Sequence, residues 1–230
     1  MPKAPWRRRE RLSRFRAISN WQEAAATWMA FATTWAGLID IGRLSAGQTV
    51  LITAASASTG LAAVQVARKV GATPVALTRT SAKAAALLDA GAAPVVATEE
   101  QDLALAVGQI TGRKGAELVF DAVGGPNFEK LVNATSVGGL LIVYGRFSRE
   151  VTPLPVAQIL FKDLTIRGFG LPSTIARDDK LAAVKQFVSE GIASGALRPV
   201  IARTFRLDDI VNAHRYPESA TQFGKVVVTV

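Results

Sequence analysis

A turn of small residues between positions 53 and 60 could bind a phosphate group. It follows a β-branched run at 49–53 and leads into a segment whose apolar residues have helical spacing. In a doubly wound fold this first strand, turn and helix receive the pyrophosphate of a dinucleotide, which faces the helix N-terminal amides. Such turns usually carry glycine at the first, third and sixth positions. Here those positions are Ala55, Ala57 and Gly60.

Two interpretations of this turn stay open on the motif alone. Glycine is missing from the first two positions, and alanine resists a positive φ and hinders close approach of the backbone. Three hydroxyl side chains, Ser56, Ser58 and Thr59, offset this loss because they can donate to a phosphate. The turn is therefore either a dinucleotide site or an ordinary strand-to-helix turn made of small residues.

The end of the second predicted strand indicates which dinucleotide would bind. NAD-selective sites usually place Asp or Glu there to bind the ribose 2′-hydroxyl, but residues 77–83 contain no acid. Arg79 and Lys83 could neutralise a 2′-phosphate, and Thr80 and Ser81 could hydrogen-bond it. The alternative is a solvated basic turn.

The composition argues against a zinc site. The sequence has no cysteine and one histidine, His214, whereas a zinc site needs about three or four N, S or O ligands. No cluster of Asp and Glu suggests a magnesium site. His214 stands late in a predicted helix, where a surface position is favoured over a role as proton donor. We therefore predict no metal ligand and no catalytic side chain.

The positive charge is concentrated at one end. The net charge is +9, and seven basic residues stand against Glu10 within the first twenty positions. We interpret residues 1–20 as a solvated, disordered arm, with a transit peptide or an RNA-contacting arm as alternatives. No apolar run of about eighteen residues predicts a membrane span, and no apolar stretch typical of a secretory signal follows the charges. We expect a cytoplasmic protein without a nucleic-acid or membrane partner.

Apolar strand patterns and helical patterns alternate strictly beyond this arm. Continuous apolar strands with short connections demand right-handed crossovers and a parallel sheet covered by helices on both faces. The first helix spans 21–41, and its aromatic residues are expected to face the core: Trp21, Trp28, Phe31 and Trp35. The predicted strands are 49–53, 74–78, 94–97, 116–121, 139–145, 164–168 and a final one at 224–230. Further helices are predicted at 61–70, 81–90, 99–111, 127–136, 156–162, 178–193 and 208–216.

Seven stretches keep their order and spacing from about residue 21 to residue 230. They are EAAATWM at 23–29, GQTVLITAA at 47–55, TRTSAK at 78–83, VFDAVG at 119–124, GGLLIVYG at 138–145, LTIRGF at 164–169 and GKVVVTV at 224–230. With these stretches the chain resembles the medium-chain dehydrogenase/reductase superfamily, in its quinone-oxidoreductase and zinc-less alcohol-dehydrogenase-like branch. The alternation and this resemblance together predict an α/β doubly wound Rossmann sheet of six parallel strands in the order 3-2-1-4-5-6.

The resemblance implies an NADP(H)-dependent oxidoreductase that transfers hydride to a quinone, enone or carbonyl acceptor. It also implies cofactor-binding positions, all at the carboxyl ends of strands or beside them. These are Thr33 beside the nicotinamide; Ala57, Ser58, Thr59 and Gly60 at the pyrophosphate; Arg79, Ser81 and Lys83 at the 2′-phosphate; Asp121, Val123 and Gly124 under the nicotinamide ribose; and Tyr144, Gly145, Arg146, Phe169 and Gly170 in loops near the nicotinamide.

The resemblance also sets the expected domain organisation. Family members begin with a catalytic, partly open β-barrel, which residues 1–20 do not resemble. We expect a basic arm at 1–20, a Rossmann domain at 21–170, and C-terminal helices and strands at 171–230 that return toward the barrel. The final strand should then be an unpaired edge or pair with a partner chain, and we expect a homo-oligomer. The alternative to an enzyme is a non-catalytic dinucleotide-binding module.

Overall fold

The computed structural model describes residues 20–219 and 221–230, and its central feature is a parallel six-stranded sheet. The strands are β1 (Thr49–Ile52), β2 (Thr73–Thr78), β3 (Val95–Ala97), β4 (Ala116–Asp121), β5 (Thr135–Val143) and β6 (Thr165–Gly168). Their order is β3-β2-β1-β4-β5-β6, and every neighbouring pair is parallel. The predicted Rossmann sheet and its strand order are confirmed.

Helices cover both faces of this sheet. They are α1 (Trp21–Thr34), α2 (Ser58–Lys69), α3 (Ala84–Asp89), α4 (Leu103–Ile110), α5 (Phe128–Ala134), α6 (Val156–Phe161), α7 (Leu171–Ile175), α8 (Asp178–Ala193) and α9 (Ile210–Glu218). Side chains of β1 alternate between two cores. Val50 and Ile52 belong to the core that contains α1 and α2, and Leu51 belongs to the core that contains α4 and α5. The apolar run of β1 is therefore buried on both sides, as expected for a central parallel strand.

The first helix departs from the prediction in two ways. It continues as a π-helix at Trp35–Ile41, so the predicted helix 21–41 changes its hydrogen-bonding pattern part-way. The prediction that its aromatic residues face the core is wrong for Trp21, which is 90% exposed, whereas Phe31 and Trp35 are buried. Trp21 is the first residue of α1, where a side chain can extend past the end of the core.

Several predicted boundaries are corrected by capping and turn geometry. The helix predicted at 99–111 begins at Leu103, because the side chain of Asp102 accepts from Leu105 N at 2.8 Å. The helix predicted at 81–90 begins instead with a 3₁₀ turn, Ser81–Lys83, that precedes α3. Asn20, which was assigned to the arm, caps α1 by accepting from Glu23 N at 2.8 Å. Residues 1–19 of the predicted arm lie outside the described residues.

A second, two-stranded sheet follows the Rossmann sheet. It consists of β7 (Ile201–Arg206) and β8 (Lys225–Thr229), which pair in parallel. Val227 of β8 is buried, and an isolated bridge joins Gly224 to Ala57. The expectation of an unpaired final strand is therefore wrong, because β7 of the same chain is its neighbour. Among the described residues no strand pairs with the other edge of β8, so pairing with a partner chain stays a prediction. Within the described residues, no helix is long and apolar enough to cross a membrane.

Candidate dinucleotide site

The turn between β1 and α2 has the close backbone packing that a dinucleotide turn requires. Gly60 is buried in the first turn of α2, and a Cβ there would lie 2.5 Å from Ala54 O and 2.6 Å from Ala55 Cα. Only glycine fits, which is the role of the third glycine in the fingerprint. The tight bend falls on Ala54, which adopts a φ of +47° one residue before the predicted position Ala55. The chain thus makes the turn with strained alanine.

The N-terminus of α2 directly follows this turn. Ala57 is the N-cap residue, in extended conformation, and makes no side-chain cap hydrogen bond. Ser58 and Thr59 follow as the first residues of the helix, and both are partly exposed. Helix N-terminal amides next to small hydroxyl side chains are a suitable environment for a phosphate.

The predicted 2′-phosphate residues gather at the end of β2. Lys83 Nζ lies 3.3 Å from Ser56 Oγ, so the basic pocket meets the pyrophosphate turn directly. Burial, followed by the positive charge of Arg79, lowers the pKa of Lys83 below its ordinary value. Arg79 and Ser81 are exposed. Sequence reasoning missed Glu100, whose carboxylate accepts from Ser81 N at 3.0 Å and so places a negative charge beside the predicted 2′-phosphate residues.

Asp121 organises the loop after β4 through its buried carboxylate. Its carboxylate is fully buried and already accepts three hydrogen bonds. Oδ1 accepts from Thr53 Oγ1 at 2.7 Å and from Val123 N at 2.9 Å, and Oδ2 accepts from Gly124 N at 2.9 Å. Thr53 in turn accepts from Ala122 N at 2.9 Å. Asp121 therefore holds the loop after β4 in place, with Val123 and Gly124 bound to it.

The loop after β5 lies against this network. Tyr144 N donates to the backbone O of Asp121 at 2.9 Å. The Tyr144 ring stacks on Phe120, with centroids 3.9 Å apart and 17° between planes. Burial, and then the charge of Asp121, raise the pKa of the Tyr144 hydroxyl, so this group stays protonated. Gly145 packs on Ala122, because a Cβ there would lie 2.9 Å from Ala122 O.

The remaining predicted residues lie outside the hydrogen-bond network around Asp121. Phe169 is half-buried, and its N donates to Val143 O at 3.2 Å, which joins the β5 and β6 ends. Arg146 and Gly170 are exposed. Thr33 is buried in α1. The structure gives these positions no direct contact that binds them into one pocket.

Residues outside the sequence prediction also contribute to the site. Thr53, Phe120 and Gln222 support predicted residues through contacts with Asp121, Tyr144 and Lys83, respectively. Thr53 and Phe120 could have been found, because they end neighbouring strands of the predicted sheet order. Gln222 could not, because it is separated from Lys83 by 139 positions. His214 is exposed, as predicted.

Comparison with known proteins settles the family. The family model described as zinc-binding dehydrogenase matches residues 58–190, which is more than half of the chain. This chain belongs to that family, within the medium-chain dehydrogenase/reductase superfamily. The family is one of oxidoreductases. Among the described residues of this dehydrogenase/reductase chain, no group of three or more His, Cys, Asp or Glu side chains could hold a metal ion.

Relatives and solved structures agree with this assignment. Acryloyl-coenzyme A reductase of Sulfurisphaera tokodaii is 28% identical over 193 residues, covering 84% of this chain and 54% of that protein. A quinone oxidoreductase of Escherichia coli, solved with NADPH, matches with a TM-score of 0.86 at 28% identity, over 93% of this chain and 66% of that one. An NAD-dependent alcohol dehydrogenase matches with a TM-score of 0.82 at 32% identity, over 92% and 59%. The chain thus spans about half of the acryloyl-coenzyme A reductase and about two-thirds of the quinone oxidoreductase.

Proposed function

We propose that this chain binds NADP(H) and forms the cofactor-binding part of an oxidoreductase that reduces a quinone, an enone or a carbonyl without zinc. The observation that carries the proposal is the position of Lys83 Nζ, 3.3 Å from Ser56 Oγ in the pyrophosphate turn. Arg79 adds a second positive charge close by. A pair of cations at the end of β2, where NAD-selective sites have an acid, favours a 2′-phosphate.

The residues present fit such a cofactor. Gly60 lets the backbone of α2 approach the end of β1 within a distance that any Cβ would prevent. The N-terminal amides of α2 and the hydroxyls of Ser58 and Thr59 would hold the pyrophosphate. Lys83 and Arg79 would hold the 2′-phosphate. These are ordinary charge-assisted contacts and need no rearrangement of the sheet.

The chain's own residues would position the reacting end of the cofactor. When bound, a reduced nicotinamide supplies the hydride. The carboxylate of Asp121 fixes the loop at Val123 and Gly124, so this loop offers a rigid wall rather than a mobile one. The Tyr144 hydroxyl is protonated at neutral pH, as a tyrosine ordinarily is, and burial only raises its pKa further. The stacking of its ring on Phe120 sets the direction of this hydroxyl. The hydroxyl can donate a hydrogen bond at neutral pH.

The substrate class rests on the named relatives. A quinone and an acryloyl thioester both contain a double bond conjugated with a carbonyl, and hydride adds to such acceptors without a metal. Within the proposed range of acceptors, we therefore favour a quinone or an enone over an isolated carbonyl. The match to an NAD-dependent alcohol dehydrogenase makes the choice of cofactor the point to test first.

Two measurements on the purified chain test the proposal. Titration with NADPH should give saturable binding, and NADPH should be oxidised when a small quinone or an acrylate thioester is added. Binding without oxidation would favour the alternative, a non-catalytic dinucleotide-binding module. Absence of binding to NADPH would contradict the proposal as a whole.

A further inference from the structure

Lys83 joins two parts of the chain that are far apart in sequence. Its Nζ donates to the backbone O of Gln222 at 2.8 Å and to Ser56 Oγ at 3.3 Å. Gln222 lies in residues 221–224, the C-terminal segment, which connects α9 to β8. Of these two contacts, the shorter is with the C-terminal segment and the longer with the pyrophosphate turn.

The C-terminal segment is also attached directly to the pyrophosphate turn. Gly224 N donates to Ser56 O at 2.9 Å, and Gly224 forms an isolated bridge with Ala57. The next residue, Lys225, donates from its N to Val200 O at 2.7 Å. Gly224 has a φ of +109°, and a Cβ there would crowd the Val200 carbonyl. The segment is therefore fixed in one position, and Gly224 attaches it to the backbone of the pyrophosphate turn.

We propose that Lys83 couples recognition of a 2′-phosphate to the order of the C-terminal segment. A dinucleotide with this phosphate then stabilises the contact of residues 221–224 with the pyrophosphate turn. A dinucleotide with a free 2′-hydroxyl does not have this effect. The inference rests on the proposed function, because it requires the 2′-phosphate to bind at Lys83.

The relative strengths of the contacts give the direction of the effect. A hydrogen bond from an ammonium group to a phosphate is roughly twice as strong as one between neutral groups. The incoming phosphate replaces the long contact with Ser56 Oγ, while the short contact with Gln222 O remains. Lys83 is then held by the phosphate and by Gln222 O. Because the phosphate has already fixed the side chain, the contact with the segment costs no further rotamer freedom. Coupling of this kind is reciprocal, so an ordered segment also strengthens phosphate binding.

Hydrogen exchange at the segment tests the coupling. The reporters are the amides of Gly224 and Lys225, measured in the full chain saturated either with NADPH or with NADH. We expect exchange in the NADPH complex to be slower by about fivefold or more, which is the lower end of ordinary coupling between sites. In Lys83→Met, which keeps the apolar stem of the side chain and loses its charge, the two complexes should exchange alike. Lys130→Met, at an exposed position of α5, is the matched control and should keep the difference.

The outcomes separate the two proposals. If NADPH binds at saturation but protects the segment no more than NADH does, the coupling is wrong and the proposed cofactor stands. If Lys83→Met retains the additional protection, Lys83 is not the link, and the inference also falls. If the binding isotherms show no affinity for NADPH, the proposed function itself is wrong.

Discussion

Thr53 Oγ1 donates a 2.7 Å hydrogen bond to Asp121 Oδ1, and both side chains are buried. The two residues stand at the ends of neighbouring strands, β1 and β4, so the bond joins the turn that would hold the pyrophosphate to the loop that would hold the nicotinamide ribose. The same carboxylate accepts from Val123 N and Gly124 N. The two halves of the candidate site are thus held in register by one buried side chain.

Removal of this carboxylate should destabilise the protein. Asp121→Ala leaves the Thr53 hydroxyl and the amides of Val123 and Gly124 without their acceptor, and we expect the free energy of unfolding to fall by about 2–4 kcal/mol. Urea denaturation measures this. Asp89→Ala, at an exposed position at the end of α3, is the control and should change the free energy by less than about 0.5 kcal/mol. Equal unfolding midpoints for the two variants would show that the network carries no stability.

Gly60 should be intolerant of a single methyl group. Gly60→Ala places Cβ 2.5–2.7 Å from backbone atoms of Ala54 and Ala55, which cannot move as a flexible side chain could. We expect a loss of about 1–3 kcal/mol in stability, as for overpacking in a core, and weaker binding of NADPH and NADH alike. Gly108→Ala is the control in α4, where a Cβ meets no atom within 4 Å. It should stabilise the helix by about 0.5–1 kcal/mol. Similar stabilities for the two variants would contradict the packing argument.

NADPH affinity should depend on pH through Lys83. Burial and Arg79 lower the pKa of this ammonium group below 10.5, so it loses its proton at a less alkaline pH than a free lysine does. Only the protonated form attracts the 2′-phosphate. Affinity for NADPH should therefore be full below that pKa and fall as the pH rises through it, while affinity for NADH changes less. Titrations at several alkaline pH values measure both curves, and parallel curves would show that Lys83 does not bind the phosphate.

The strand order was predictable, whereas most of the contacts that complete the site were not. Alternation of apolar strands with helices allows only a few arrangements of parallel strands. A central strand in such a sheet is covered on both faces, which accounts for the burial of Leu51 and the rest of β1. The predicted strand order places Thr53 beside Asp121, but the sequence pattern does not show that the carboxylate accepts three hydrogen bonds within the protein, because that depends on side-chain geometry at the strand ends. Nor does it show that Gln222 reaches Lys83, since local periodicity carries no information about so distant a contact. Pairing of β8 with β7 was missed for the same reason.

Self-association should involve α6. On β8, Val227 is buried and Val228 is 37% exposed, so this strand offers less exposed apolar surface than α6 does. On α6, Leu160 and Phe161 are 72% and 83% exposed, next to the edge strand β6. Exposed apolar side chains beside an open strand edge favour association. Light scattering should show an oligomer that Phe161→Asp weakens. Leu105→Asp, at an exposed apolar position on α4, is the control and should leave it intact; a wild-type monomer would contradict the prediction.

The most direct test of the central claim compares the dissociation constants of NADPH and NADH for the wild-type chain and for Lys83→Met. The account predicts that the wild-type chain prefers NADPH, because Lys83 forms a charge-assisted bond with the 2′-phosphate. Loss of that bond should weaken NADPH binding by about 1.5–3 kcal/mol, and NADH binding should stay nearly unchanged. A wild-type chain that binds NADH as tightly as NADPH, or a variant that weakens both equally, would contradict the assignment of Lys83 and the proposed cofactor.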